Sequence, residues 1–353
     1  MAAAAERMTP VNQPTSSPHL PWTLVTGARG FVGRHLTASL QRAGLPVCSL
    51  GLTSPLAGGR TEEDDPRFPG AVCLHTPDGD VAHIEMDLAD AAGLVAVLER
   101  LRPATVYHLA AQSSAAVSFR EPAATLQTNV LGTLNLLEAI RRMPVSDRPA
   151  VLMIGSAEEY GPQPAEAYPL REDTPLQPIS PYGVSKAAQT LLGRQYVRSY
   201  DLPVIMTRSF SHIGPGQDTR FVFPAFAQQI AAAERGSGQA LVKVGNLDAV
   251  RDFLDVRDVV TAYRALIKEG TPGEVYHVCS GQGLTIRQGL DLLLAQAKCP
   301  ITVESDAARM RPSDVPILVG DNTKIRSCTG WEPEWSIDDS LTDVLNLARK
   351  ETT

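Results

Sequence analysis

The sequence has little of what marks a secreted, membrane-spanning or nucleic-acid-binding protein. Its five cysteines are scattered and contain no Cys-x-x-Cys pair, so we expect neither a disulfide framework nor a metal site. No apolar run approaches the length that spans a bilayer. The net charge of −7 argues against partners such as nucleic acid or an anionic membrane surface. Together these absences predict a cytoplasmic protein.

The first 21 residues also lack the apolar core of a signal peptide. They read MAAAAERMTPVNQPTSSPHLP and contain Glu6, Arg7 and four prolines. We therefore expect residues 1–21 to be a disordered leader.

The chain does contain a regular alternation of short apolar segments with longer amphipathic ones. Strands are predicted at 23–27, 46–50, 82–88, 105–111, 150–156 and 203–210, and helices at 31–44, 90–103, 122–143 and from Pro181 onward. This order predicts an α/β fold with a doubly wound, Rossmann-like parallel sheet over residues 22–210, which binds ligands beyond the carboxyl ends of its strands.

After residue 210 the alternation loosens into Pro/Gly-punctuated segments with two further helices, at about 285–298 and 337–349. We predict that residues 211–353 form mainly a smaller C-terminal substrate-binding lobe, with some chain crossing back to the sheet. The polar, Gly/Pro-rich stretch from 53 to 80 has no assigned role.

A glycine-rich turn follows the first predicted strand. The segment TGARGFVG places Gly27, Gly30 and Gly33 where they open a helix, and such glycines let the backbone approach a pyrophosphate at the helix N-terminus. A tight turn without a ligand is the alternative. The second strand ends SLGLTSP and lacks the carboxylate that would bind the ribose of NAD, which favours NADP; Ser49, Thr53 or Ser54 can hydrogen-bond a 2′-phosphate. Asp87 is expected to face the adenine or to cap a helix.

The segment SPYGVSK carries Tyr182 and Lys186 four residues apart, so they stand one above the other on a helix. Ser180 is a good N-cap and Pro181 suits the first helical position, which places the pair in the opening turns. A chance surface pair is the alternative.

Together, the turn and the Tyr-x-x-x-Lys pair resemble the short-chain dehydrogenase/reductase superfamily, in particular its extended branch, which acts on nucleotide sugars. The resemblance implies that Ser156, at the end of AVLMIGS, is the third catalytic residue. Ser156 would hydrogen-bond the carbonyl oxygen and Tyr182 would exchange a proton with it. The ammonium of Lys186 would lower the pKa of the phenol and contact the nicotinamide ribose.

The second half is similar to GDP-4-keto-6-deoxy-D-mannose reductases, through RSFSHIGPGQ, VGNLDAVRDFLDVRDVVTAY, VYHVCSG, ARMRPSDVPILVGD and TGWEP. The sister GDP-mannose 4,6-dehydratases share several of these elements but replace HIGPGQ with an arginine-bearing loop. Ser211 departs from the usual asparagine, and Ala157 from a usual hydroxyl or acid. Glu158 can act as the base of a dehydratase but also occurs in the reductase pattern.

The resemblance implies two sets of binding residues. The cofactor set is Gly27, Gly30, Phe31, Val32, Gly33, Asp87, Leu88, Leu109, Ala110, Ala111, Tyr182, Lys186, Phe210 and His212. The substrate set is Ser113, Ser114, Ser211, Val222, Asn246, Arg251, Arg311 and Asp314. The two arginines would contact the diphosphate through their planar forks; surface ion pairs are the alternative. Asp252, Asp255 and Asp258 are expected to cap and stabilise the fold.

Three functions remain. The first is reduction of the C4 ketone of GDP-4-keto-6-deoxy-D-mannose to GDP-D-rhamnose with NADPH or NADH, through Ser156, Tyr182 and Lys186. The second is a GDP-mannose 4,6-dehydratase with tightly bound NADP, which would also use Glu158. The third, a non-catalytic dinucleotide sensor, is disfavoured by the intact catalytic trio. We expect a homodimer that pairs through the helix carrying Tyr182 and its neighbour.

Overall fold

The computed structural model describes residues 21–52, 60–68, 70–236, 240–309 and 315–351. The predicted leader lies outside these residues except for Pro21. Thr53, Ser54, Arg311 and Asp314 also lie outside them.

A nine-stranded sheet forms the centre of the first half. In order across the sheet its strands are β12 (Val275–Val278), β8 (Val204–Ser209), β7 (Ala150–Ser156), β6 (Thr105–His108), β1 (Thr23–Thr26), β2 (Val47–Gly51), β5 (Gly79–Glu85), β4 (Val72–Thr76) and β3 (Arg60–Asp64). The strands from β12 to β5 run parallel. The predicted α/β, Rossmann-like sheet is confirmed.

Helices cover both faces of this sheet because successive strand residues point to opposite sides. Leu24 and Val106 pack in one apolar cluster with residues of the helices at 91–101 and 132–142. Their neighbours Val25 and Tyr107 pack in another cluster with residues of the helices at 31–42 and 256–269. The helices of the first half are α1 (Phe31–Arg42), α2 (Ala91–Leu101), α3 (Ala115–Arg120), α4 (Pro122–Leu126), α5 (Gly132–Arg142) and α6 (Pro181–Tyr200). A π-helical turn, Gln127–Leu131, joins α4 to α5 and makes the segment predicted at 122–143 continuous.

The described part of the polar segment 53–80, to which the sequence assigns no role, adds an antiparallel edge to the sheet. Strand β4 pairs antiparallel with β5 and with β3, the outermost strand. Phe68, between β3 and β4, is buried against the edge of Trp22. Charged residues are common on edge strands, where they discourage pairing with another chain. The polar composition of β3 and β4 therefore lacks the apolar pattern by which the other strands were predicted.

The second half has its own apolar core between α7 (Val222–Glu234), α9 (Ile286–Ala295) and α11 (Ile337–Glu351). Its other elements are β9 (Ser211–Ile213), β10 (Leu241–Val244), β11 (Val250–Asp255), α8 (Val256–Glu269), β13 (Gly283–Thr285), β14 (Thr302–Ser305), β15 (Ile317–Leu318) and α10 (Thr323–Thr329). Helix α8 packs on the large sheet, and β12 joins that sheet beside β8. The predicted boundary at residue 210 stays a prediction.

Three aspartates predicted to stabilise the fold do so through backbone N–H groups. Asp255 caps α8 by accepting from the N–H of Arg257, and Asp258 accepts from two N–H groups ahead of α11. Asp252, fully buried, accepts from the N–H groups of Ser280 and Gly281. These three predictions are confirmed.

Candidate active site

A cleft of about 1450 Å³ lies at the carboxyl ends of the parallel strands and extends toward the second half. Every predicted site residue that the structure describes lines it. From the first half these are Gly27, Gly30, Phe31, Val32, Gly33, Asp87, Leu88, Leu109, Ala110, Ala111, Ser113, Ser114, Ser156, Glu158, Tyr182 and Lys186. From the second half they are Phe210, Ser211, His212, Val222, Asn246 and Arg251. The fold thus brings together residues that are up to 224 positions apart in the chain.

The glycine-rich turn closes tightly between β1 and α1. Gly27 has a φ of +72°, and a Cβ there would stand 2.7 Å from the backbone nitrogen of Ala110. A Cβ at Gly33 would stand 2.3 Å from the carbonyl oxygen of Gly27. Side chains are therefore excluded at Gly27 and Gly33, where the helix N-terminus faces the cleft. This geometry fits a bound pyrophosphate.

Helix α6 begins as the sequence predicts. The hydroxyl of Ser180 accepts a hydrogen bond of 3.0 Å from the N–H of Gly183, and Pro181 occupies the first turn. Gly183 lets the helix approach the loop after β7, because a Cβ there would stand 2.5 Å from the carbonyl oxygen of Glu158. This contact holds Tyr182 next to Ser156.

Ser156 ends β7 and caps the short 3₁₀ turn that follows it. Its hydroxyl accepts from the N–H of Glu158 at 3.2 Å, and its own N–H donates to the carboxylate of Glu159 at 3.0 Å. The residue is buried, and its hydroxyl is close enough to the Tyr182 phenol to lower the pKa of that group. The serine and the phenol therefore face one point of the cleft.

The structure contradicts one expectation about Tyr182. Burial raises the pKa of the phenol, the Ser156 hydroxyl opposes that rise, and the nearby Glu158 and Glu159 add to it. The ammonium of Lys186 lies 6.0 Å from the centre of the tyrosine ring and donates to the carbonyl oxygen of Ile154 at 2.8 Å. The prediction that Lys186 lowers the pKa of Tyr182 is therefore wrong: desolvation raises this pKa, and Lys186 is not among the groups that shift it.

Lys186 is itself strongly affected by its surroundings. It is buried, and the desolvation of its ammonium lowers its pKa to about 8, while Glu159 pulls in the opposite direction. The nearby His108 is fully enclosed and hydrogen-bonded to two threonine hydroxyls, and burial lowers its pKa to about 3. His108 is therefore neutral at physiological pH and Lys186 remains largely charged.

At the opposite end of the cleft, strand β2 presents polar groups instead of a carboxylate. The hydroxyl of Ser49 lies 2.6 Å from Nδ1 of His83 on the neighbouring strand β5. His83 is 4% exposed, and burial together with the nearby Arg29 lowers its pKa. Its Nε2 and the Nε of Arg29 are buried without a hydrogen-bond partner in the described structure. Asp87 forms a turn by accepting from the N–H of Ala89.

The second half contributes the remaining wall of the cleft. Arg251, on β11, is 8% exposed and donates to the carbonyl oxygens of Val250 and Pro316. Asn246 accepts from the N–H of Asp248, and Val222 occupies the first turn of α7. Arg251 is thus a buried guanidinium held by carbonyl oxygens, not an exposed surface charge.

Comparison with known proteins agrees with this geometry. The family model described as GDP-mannose 4,6 dehydratase matches residues 24–344. The chain belongs to this family. It is 37% identical to a GDP-6-deoxy-D-mannose reductase of Pseudomonas aeruginosa, over 91% of this chain and 95% of that protein. It is 31% identical to a GDP-mannose 4,6-dehydratase of Sinorhizobium fredii, over 73% and 78% of the two chains.

A solved structure, that of RMD from Pseudomonas aeruginosa complexed with NADPH, superposes on this member of the dehydratase family with a TM-score of 0.77. The identity is 34%, and the match covers 94% of this chain and all of that one. The predicted relationship to extended short-chain dehydrogenases and to the GDP-sugar reductases and dehydratases is confirmed. The described helices of this family member include none that is long and apolar enough to cross a bilayer.

Sequence reasoning missed several residues that line the cleft of this family member. His83, Gln112, Arg120, Arg220 and Tyr263 all reach it. His83 sits in the middle of a strand, and only the pairing of Ser49 with His83 reveals that it stands beside the end of β2. Arg220 lies two residues before the helix that begins at Val222.

Proposed function

We propose that the protein is a reductase that converts the C4 ketone of a GDP-4-keto-6-deoxyhexose to the alcohol, GDP-4-keto-6-deoxy-D-mannose giving GDP-D-rhamnose. The observation that carries this proposal is that Ser156 and Tyr182 line the same cleft, beside the close contact of Gly183 with the Glu158 carbonyl oxygen, with Lys186 one helical turn further on. The Pseudomonas aeruginosa relative, which the chain matches over 95% of its length, is named as a reductase of a GDP-6-deoxy sugar.

The side chains present fit the two proton-handling steps of a ketone reduction. A nicotinamide cofactor, when bound, supplies the hydride that reaches C4. The Ser156 hydroxyl hydrogen-bonds the C4 oxygen, and the Tyr182 hydroxyl donates its proton to that oxygen. The resulting tyrosinate regains its proton from solvent. The raised pKa of Tyr182 suits this direction, because the phenol stays protonated and can act as the acid at neutral pH.

A reductase is favoured over a dehydratase by the residue next to Ser156. A 4,6-dehydratase must also remove water across C5 and C6, which requires an additional acid and base. Ala157, 4% exposed, packs in an apolar cluster with Tyr160 and Phe210 and offers no polar group. Glu158 lines the cleft and is the observation that keeps dehydratase chemistry as the second candidate.

One assay distinguishes these candidates. The purified protein is given the 4-keto sugar with NADPH, and separately GDP-mannose with no added reductant, while the reduced-nicotinamide absorbance and the products are followed. We expect loss of NADPH equal to the alcohol formed in the first reaction, and no ketone in the second. Ketone formed from GDP-mannose without net loss of cofactor would instead assign the dehydratase, and no reaction in either arm would contradict both proposals.

We further propose NADPH as the preferred cofactor, with Arg29, Ser49 and His83 around its ribose 2′-phosphate. When Ser49 donates to Nδ1 of His83, Nε2 carries the hydrogen and can donate to a phosphate oxygen. Arg29 adds a cation, and β2 ends without the carboxylate that would repel a phosphate.

Binding measurements test the cofactor preference without substrate. Arg29→Ala removes a charge-assisted hydrogen bond worth about 1.5–3 kcal/mol and should weaken NADPH roughly 10–100-fold. Binding of NADH and of 5′-AMP should change little, whereas adenosine 2′,5′-bisphosphate should lose affinity as NADPH does. Arg42→Ala, an exposed arginine at the other end of α1, is the matched control. Equal losses for NADPH and NADH would contradict this assignment.

We also propose a homodimer formed through α6 and the helical segment before it. Both carry exposed apolar side chains, among them Leu126 and Leu131 on one and Val184 and Leu191 on the other. Val184 and Leu191 are seven residues apart, so they share a face of α6. Sedimentation should give a dimer for the wild type and a monomer for Leu191→Glu; a monomeric wild type would contradict the proposal.

A further inference from the structure

The carboxylate of Glu159 connects the three elements around the candidate catalytic residues. Its Oε1 accepts from the backbone N–H of Ser156 after β7 and from the hydroxyl of Thr190 on α6, each at 3.0 Å. Its Oε2 accepts from Nε of Arg208 on β8 at 2.8 Å. The Glu159 side chain is fully buried and that of Arg208 is 3% exposed.

We infer that Glu159 is a positioning residue of the proposed reductase: it holds Ser156 against helix α6 and places one negative charge beside Tyr182 and Lys186. The inference rests on the proposed function. It goes beyond it because Glu159 is not among the residues that line the cleft.

Arg208 fixes the orientation of the carboxylate. Its Nη1 donates to the hydroxyl of Tyr160 and to the carbonyl oxygen of Glu172, both at 2.8 Å, so the guanidinium is itself held. A buried ion pair contributes little net stability, since desolvation of both charges offsets their attraction. A role in geometry and electrostatics explains better why two charges lie beneath the Ser156 turn.

The negative charge of Glu159 favours the protonated form of both Tyr182 and Lys186. Glu159 raises the pKa of Tyr182 and opposes the lowering of the pKa of Lys186.

Other polar groups face the same pair. Glu158 also raises the pKa of Tyr182, and the Tyr263 phenol stands near it. His108, beside Lys186, is neutral. Arg208 partly neutralises the carboxylate. Removing the charge of Glu159 should therefore make both catalytic groups lose their protons at lower pH.

The test begins with Glu159→Gln, which keeps the shape and one acceptor oxygen but removes the charge. We expect the alkaline limb of kcat/KM for ketone reduction to move down by about 0.5–1 pH unit. Carbon-13 NMR of labelled lysine, with Lys186 assigned by comparison with Lys186→Arg, should show the same downward shift of its titration without cofactor or substrate. An unmoved limb and an unmoved Lys186 titration would overturn the electrostatic half of the inference.

A second variant separates position from charge. Thr190→Val removes the hydrogen bond that joins Glu159 to α6 but leaves the charge, so kcat should fall about 10-fold with no shift in the pH limb. An unchanged kcat would overturn the positioning half. Asp258→Asn is the matched control, because it alters a buried carboxylate that caps backbone N–H groups elsewhere; it should lower Tm and leave both titrations unchanged. If the wild type reduces no ketone, the proposed function fails, while the NMR titration still tests this inference.

Discussion

The contact between Gly183 and the loop after β7 gives a sharp test of the candidate site. A Cβ at position 183 would stand 2.5 Å from the carbonyl oxygen of Glu158, whereas ordinary contact begins at 3.4 Å. The obstacle is backbone, which no side-chain rotation can remove. In Gly183→Ala the start of α6 must therefore move away from the Ser156 turn by about 0.9 Å.

Such a displacement acts directly on Tyr182, the preceding residue. Overpacking of this kind costs about 1–3 kcal/mol of stability, and a misplacement near 1 Å can lower a rate about 100-fold. We expect kcat of Gly183→Ala to fall about 10–100-fold, while NADPH affinity changes far less because the glycine-rich turn is untouched. Steady-state kinetics and cofactor titration measure the two effects separately.

The chain offers a matched control on the same helix. Gly193→Ala raises the helix propensity by the same amount as Gly183→Ala, about 1 kcal/mol. The new Cβ, however, would contact flexible side chains, those of Met153 and Met206, instead of backbone. Gly193→Ala should keep kcat within a few-fold of the wild type. If Gly183→Ala matches Gly193→Ala in kcat, the proposed coupling between the Ser156 turn and Tyr182 is refuted.

Two further predictions concern the catalytic groups themselves. Tyr182→Phe should lower kcat for ketone reduction by about 10²–10⁴ and keep NADPH binding, since it removes only the proton donor; unchanged turnover in a stopped assay would reject Tyr182 as the acid. The pKa of Lys186 is lowered from 10.5 to about 8, so between these pH values the unfolded chain binds more protons than the folded one, and the lysine penalises folding below about pH 8. Urea unfolding should therefore show the wild type gaining about 3 kcal/mol relative to Lys186→Met as the pH rises from 8 to 10.5; parallel curves would contradict burial of the ammonium.

Local patterns alone determined much of this protein. The alternation of apolar segments predicts the parallel strands and their order along the chain. Gly27 and Gly33 predict the tight turn, and Ser180 with Pro181 predicts where α6 begins. Each of these signals involves residues within a few positions of one another, where capping, turn and periodicity rules operate.

Only the tertiary structure decided which distant groups meet and how burial changes them. The edge strands β3 and β4 depend on pairing with β5, and the proximity of Ser49 to His83 depends on the register between β2 and β5. The pKa of Tyr182 rises because burial by the surrounding atoms removes water from the phenol. The spacing of Tyr182 and Lys186 in the sequence predicts only that they share a face of one helix, and it does not predict this burial. The sequence could therefore name the candidate reacting groups, but their protonation was set by the surroundings that the tertiary structure builds around them.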